Sequence, residues 1–245
     1  MISPLATGVY AGLGAAAAAG AGWGAFTYAS LWPGSRIFGE ALTAPAKPGE
    51  LALTFDDGPN ATWTPRLLDL LAKHDVRATF FLLGGRAEME PGLVRRIVSA
   101  GHSIGNHTWS HPNLARTSAS RVRDELRRTQ VVLEQIAGLK VKLFRPPFGA
   151  RRPVVFRIAR EMGLQPVLWN AMTTDWSDPS AGRIAMKLMK KIDAAQARGR
   201  AANIVLHDGG HLDPGANREP SVTAAEMLLE RYRPTHKFVT LDAWV

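Results

Sequence analysis

The chain contains no cysteine in 245 residues, which excludes a disulfide framework and any thiolate metal site, so a bound metal must rely on histidine and carboxylate. It also lacks the loops that cradle nucleotides: no strand-like run leads into G-x-G-x-x-G or a phosphate-binding Gly-Lys-Ser/Thr turn, which argues against nucleotide chemistry. Thirty Lys and Arg against 21 Asp and Glu leave a net charge of +9. That balance suits an anionic partner such as a membrane face or an acidic envelope polymer. The basic residues are scattered through "RVRDELRRTQ" and "MKLMKKIDAAQARGR" without interleaved aromatics, so nucleic acid is not expected as a partner.

Charge is missing altogether from one region. Residues 1–35 contain no Asp, Glu, Lys, Arg or His, and such a run is long enough to cross a bilayer as a helix. Trp23, Tyr28 and Trp32 suit its interfacial end. A membrane anchor is the expectation. The alternatives are a cleavable signal segment, although no Lys or Arg precedes the apolar stretch, or a Gly/Ala-rich tail. The first basic residue, Arg36, follows the segment and leans toward a cytoplasmic body by the positive-inside rule, while export to the cell envelope remains the other placement. Residues 36–50, with "TAPAKPGE", read as a linker, and residues 51–245 as the folded domain.

Within that domain, apolar runs alternate with amphipathic stretches. The strand candidates are "LALTF", "ATFFLLG", "HSIGN", "KLFR", "PVLWN", "NIVLH" and "FVTLDAW", separated by six helical stretches, a pattern that predicts a parallel sheet wrapped by helices. Ser118 or Ser120 caps one helix, and Gly138, Gly163 and Gly199 fit helix ends. An open doubly wound sheet and a small (β/α) barrel both satisfy this rhythm. The polar residues favour the barrel. Asp56 and Asp57, His107 and His111, Arg145, and His207 and Asp208 each follow an apolar run, and in a parallel barrel such positions converge at one mouth.

The chemistry available to that mouth can be read from residue types. "HTWSH" sets His107 and His111 four residues apart, close enough to reach one metal, and adding a carboxylate completes a three-ligand site with an open position. "FDDGP" places two carboxylates side by side, which repel unless a cation compensates them. If one ligates a dication, the other stays ionised as a base. "FRPPFG" offers Arg145 to orient a carboxylate and, after two prolines, the Phe148 N–H as an oxyanion donor. "TTDW" contributes Asp175 and Trp176, and "VLHDGG" places His207 where an imidazole can protonate a leaving group. His74, His102, His211 and His236 have no such company and are read as surface or structural residues. The set describes hydrolysis at a carbonyl carbon.

These five stretches, "TFDDGP", "HTWSH", "RPPFG", "TTDW" and "VLHD", resemble in order the signature motifs of the polysaccharide deacetylase family, also called the NodB homology domain or carbohydrate esterase family 4. The resemblance covers about Leu51 to Val245. It implies a distorted (β/α) barrel of about seven parallel strands that removes acetyl groups from N-acetylated glycans with a divalent metal, usually Zn²⁺, although another transition metal fits the same ligands. By matching position it implies metal binding by Asp57, His107 and His111, a base in Asp56 oriented by Arg145, and an acid in His207 tuned by Asp175. Trp176 and Val205 would wall the acetyl pocket. Met172 stands where the family often has an aspartate, and Val205 where a leucine is common. A deacylase of a lipid-linked sugar, an O-acetyl esterase and a catalytically silent glycan-binding protein are the rival readings.

Overall fold

The computed structural model describes residues 23–245. Most of the expected anchor thus lies outside the described residues, and among these no helix is long and apolar enough to cross a membrane. The strands are β1 (Glu50–Gly58), β2 (Thr79–Leu82), β3 (Ser103–Asn106), β4 (Leu143–Phe144), β5 (Gln165–Pro166), β6 (Ala171–Met172), β7 (Ala202–His207) and β8 (Lys237–Phe238). The helices are α1 (Trp63–Lys73), α2 (Gly84–Met89), α3 (Pro91–Ser99), α4 (Ala119–Ala137), α5 (Pro153–Glu161), α6 (Ala181–Ala197) and α7 (Glu219–Tyr232).

All pairings are parallel, in the order β5-β4-β3-β2-β1-β7-β6, with β8 beside the start of β1. The edge strands β5 and β6 are joined directly through residues 167–170. Laid flat, seven strands would separate those edges by about 29 Å, but the connecting links span at most about 19 Å. The sheet must therefore curl into an open half-barrel.

Alternation along β1 sorts the core. Leu51, Leu53 and Phe55 pack outward with Phe80, Leu82 and the apolar faces of α1, α6 and α7. Ala52 points inward with Phe81, Leu143, Val167 and Leu241, filling the lower interior. Leu241 belongs to a 3₁₀ turn, Leu241–Trp244, which is anchored by Leu241 N–H donating to Thr79 Oγ1 at 3.0 Å and Trp244 Nε1 to Glu50 Oε2 at 2.8 Å. With that end plugged, the C-terminal strand ends form the free mouth.

Three expectations need correction. "FVTLDAW" supplies only Phe238 to β8 before turning into the 3₁₀ plug. "PVLWN" keeps only Pro166 in β5, because the chain bends through residues 167–170 before β6 starts at Ala171. The end of "ATFFLLG" is not strand but the start of α2. Ser118 caps α4 by accepting from Arg121 N–H, and Gly138 ends it at φ 66°, the left-handed conformation glycine adopts freely.

Residues 42–49, within the stretch expected as a linker, lie along the body. Leu42 bridges Val167, Thr43 O accepts from Asn203, Pro45 O from Ala201 N–H, and Gly49 N–H donates to Gln196. Further upstream, residues 23–31 are helical. The buried Arg151 guanidinium donates to the carbonyls of Ser30, Trp32, Ser35 and Gly149 at 2.7–3.1 Å. A cation at a helix's carbonyl end is favourable, and this one ties the segment to the loop after β4.

Candidate active site

Asp56 ends the regular part of β1, where it is the register partner of His207 on β7 and of Phe81 on β2. Consecutive strand residues point to opposite faces, so Asp57 would ordinarily turn away. It does not, because the register slips between Asp56 and Gly58 and Asp57 adopts φ 71°. Such a bulge re-aims a side chain, and here both carboxylates enter the same cleft, of about 410 Å³. Two glycines make room. A Cβ on Gly209 would lie 2.1 Å from Asp57 O, and one on Gly58 would meet the Asp208 carboxylate at 2.5 Å. That carboxylate is itself buried, accepts from the Thr64 hydroxyl and is pushed up to about 7, first by burial.

The two aspartates have different neighbours. Asp56 Oδ1 accepts from Arg145 Nη1 at 2.7 Å. Arg145 is fully buried, also donates to Thr54 Oγ1 and Asn203 Oδ1, and lies over the Phe81 ring at 4.0 Å. Burial lowers its proton affinity and the Asp56 charge opposes that, so the pair compensates itself in the interior.

Asp57 faces imidazoles. Its Oδ1 lies 3.4 Å from His107 Nε2 and 3.2 Å from His111 Nε2. His107 Nδ1 is 2.8 Å from Arg145 O. A carbonyl only accepts, so Nδ1 carries a proton and Nε2 is the ring nitrogen turned toward Asp57 to ligate. Burial first, then His107, pushes His111 down to about 3, leaving it neutral and able to ligate.

These atoms fit a metal. Asp57 Oδ1 is buried without a hydrogen-bond partner, and the three donor atoms lie within 4.8 Å of one another. Ligands at 2.0–2.1 Å from a tetrahedral ion stand about 3.3 Å apart, close to the observed 3.2 and 3.4 Å. The loop carrying the histidines is held from below by the buried Glu125 of α4, whose carboxylate accepts from Trp109 N–H, Ser110 N–H and Ser110 Oγ at 2.7–2.9 Å.

Across the cleft, His207 Nδ1 pairs with Asp175 Oδ1 at 2.9 Å, while Asp175 Oδ2 accepts from His207 N–H and Ser221 Oγ. Burial would lower the imidazole, but the Asp175 carboxylate outweighs it and raises His207 to about 9. Trp176 stands edge-on to His207 at 5.0 Å.

Asp56, Asp57, His107, His111, Phe148, Trp176 and His207 all line the cleft, together with Met172 and Trp169. Arg145 and Asp175 support it from behind. Val205, expected in its wall, is fully buried one layer beneath, packed with Leu168 and Trp169; the bend between β5 and β6 makes Trp169 and Met172 the cleft wall there instead. His102 is structural, accepting from Ala78 N–H at 3.1 Å. His211 is not: it lies 3.6 Å from Asp57 and lines the cleft. Thr54, Asn203, Glu125, Ser221 and Gly209 also went unnoticed in the sequence. Only the glycine pair after "VLHD" carried any signal, as a place where backbones approach closely.

Comparison with known proteins follows the same outline. A family described as polysaccharide deacetylase matches residues 43–167. A peptidoglycan-N-acetylglucosamine deacetylase of Bacillus cereus is 37% identical over 204 residues, 83% of this chain and 70% of that one. A chitooligosaccharide deacetylase of Azorhizobium caulinodans is 34% identical over 181 residues, 74% of this chain and 83% of the other. Among solved structures, the Bc1960 peptidoglycan N-acetylglucosamine deacetylase, in complex with 4-naphthalen-1-yl-N-oxidanyl-benzamide, superposes with a TM-score of 0.73 at 37% identity, covering 83% of this chain and 91% of that one.

Proposed function

The chain belongs to the polysaccharide deacetylase family, and we propose that it removes the N-acetyl group from N-acetylglucosamine units of a cell-envelope glycan by metal-dependent hydrolysis, releasing acetate and a free amine. The Bacillus cereus relative is named for N-acetylglucosamine in peptidoglycan and the Azorhizobium caulinodans relative for chitooligosaccharide, which supports that unit. The observation that carries the reading is the division between neighbouring carboxylates: Asp56 is held by Arg145, while Asp57 faces two imidazoles.

Asp57, His107 and His111 would hold the ion, and two imidazoles with one carboxylate suit Zn²⁺. When bound, the ion supplies positive charge that polarises the acetamide carbonyl and acidifies water near neutral pH. Asp56, aimed by Arg145, accepts the proton of the attacking water. The Phe148 N–H, beyond two prolines and on a loop with φ 58° at Phe148, donates to the developing oxyanion. His207, protonated at neutral pH because of Asp175, gives its proton to the departing nitrogen. Trp176 and Met172 border the space for the acetyl methyl. The catalytic unit is assigned to residues 51–245, with the uncharged residues 1–35 as the segment that delivers or tethers it to the envelope.

The test is acetate release from N-acetylglucosamine oligomers and from peptidoglycan by the full chain, before and after chelation and with zinc restored. Release that chelation stops and zinc restores is expected. A folded, zinc-loaded protein that releases no acetate from either would overturn the proposal.

A further inference from the structure

The loop after β7 brings to the cleft an imidazole that the reaction above does not use. Both arms of this loop are pinned. Arg218 Nε donates to Gly209 O at 2.7 Å, Arg86 Nη2 to Gly210 O at 3.3 Å, and Asn60 Nδ2 to Pro214 O and Ala216 O at 3.0 and 3.2 Å. Between these ties, the His211 ring stacks on His111 with centroids 4.2 Å apart and planes at 25°. Phe148 stands edge-on to both rings, at 4.5 Å from His111 and 5.5 Å from His211. His211 Nδ1 then lies 3.6 Å from Asp57 Oδ2. The two oxygens of one carboxylate are thus divided: Oδ1 toward the His107 and His111 Nε2 atoms, and Oδ2 toward His211.

We infer that His211 is a positioning residue that restrains Asp57 to bind the metal through Oδ1 alone. The inference rests on the metal reading proposed above and adds to it a residue from a separate loop. A carboxylate can offer one oxygen or both, and taking both would consume the coordination position a catalytic site keeps open. An imidazole N–H directed at Oδ2 occupies the second oxygen. The separation of 3.6 Å is longer than a hydrogen bond, and the stack on His111 keeps the His211 ring turned toward that oxygen. Partners of this kind behind a metal ligand are worth about 10–100-fold in metal affinity.

Two substitutions separate the donor from the ring. His211→Phe keeps a ring to stack on His111 but has no N–H, whereas His211→Asn keeps an N–H near the Nδ1 position and loses the ring. The His211 side chain is 31% exposed, so neither change disturbs the core. Zinc affinity of the full chain is measured by titration against a competing chelator, and the visible absorption of the Co²⁺-loaded protein reports coordination number. His211→Phe is expected to bind zinc about tenfold or more weakly, with a weaker Co²⁺ absorption as coordination number rises, while His211→Asn stays close to the parent on both readouts. A His211→Phe protein with the parent's affinity and spectrum overturns the inference while leaving the metal reading intact. Complete loss of zinc from both variants would make His211 a ligand and overturn the positioning role. A parent that binds no zinc overturns both readings together.

Discussion

Asp56 and His207 are register partners on the adjacent parallel strands β1 and β7, and each is backed by a buried opposite charge, Arg145 at 2.7 Å and Asp175 at 2.9 Å. Facing residues of neighbouring strands project to the same side of a sheet. Backbone pairing alone therefore sets a proposed base and a proposed acid at one mouth, each facing a buried partner of opposite charge.

The first prediction concerns pH. A general acid must enter the reaction protonated, and His207 is raised to about 9, so kcat should hold through neutrality and fall as pH approaches 9. Asp175→Asn removes the largest of the charges that oppose burial, which lowers the imidazole and moves the descending limb at least about one unit toward acid. An unmoved limb in the kcat–pH profile would contradict the assignment. Stability carries the same sign. Because the folded value exceeds the unfolded value of about 6.5, the contribution is complete below that value and lost as pH rises through about 9. Urea midpoints across that window should fall in the parent and flatten in Asp175→Asn.

Gly209→Ala should cost metal affinity without touching a ligand. The added methyl would sit 2.1 Å from Asp57 O, and backbone must move to relieve it. The expected result is at least about tenfold weaker zinc binding with roughly 1–3 kcal/mol of lost stability, measured by chelator competition and urea unfolding. Parental zinc affinity would show that Asp57 is not held by this contact.

Glu125→Ala should loosen the histidine loop from below. It strands the Trp109 and Ser110 amides that the carboxylate now satisfies, at a cost of about 1–3 kcal/mol each if they stay buried. Lower thermal stability together with weaker zinc binding is expected, since the loop carries both His107 and His111.

Arg151→Ala should free the segment before the domain. The lost guanidinium serves four carbonyls, three of them in residues 30–35, and hydrogen bonds to a charged group contribute about 1.5–3 kcal/mol each. Chymotryptic cleavage near Trp32 should accelerate at least about tenfold, since each 1.4 kcal/mol of easier local opening is a factor of ten. Unchanged cleavage would mean that the clamp is not what holds the segment.

Much of this arrangement could be read in the sequence. The apolar runs of β1, β2 and β7 and the amphipathic helices stand out because they are local patterns, and the residues after those runs reach one mouth because parallel strands share a direction. What escaped depends on contacts between distant segments. The short β4, β5, β6 and β8 carry too few residues for a pattern, and the bend at 167–170 exists only because the curl must close. Glu125 and Ser221 resemble any polar helix residue until the loop or carboxylate they serve is in place. His211 has no partner nearby in sequence, since its neighbours, His111 and Asp57, lie 100 residues or more upstream. The re-aiming of Asp57 depends on a bulge that "FDDGP" allows but does not specify.

The central claim is that two adjacent carboxylates do different work, and the direct test is to measure zinc content and acetate release on Asp56→Asn and Asp57→Asn side by side. The account predicts that Asp56→Asn retains one equivalent of zinc and releases no acetate, while Asp57→Asn loses zinc and activity together. Acetate release at the parental rate by Asp56→Asn, or zinc lost from Asp56→Asn and kept by Asp57→Asn, would contradict it.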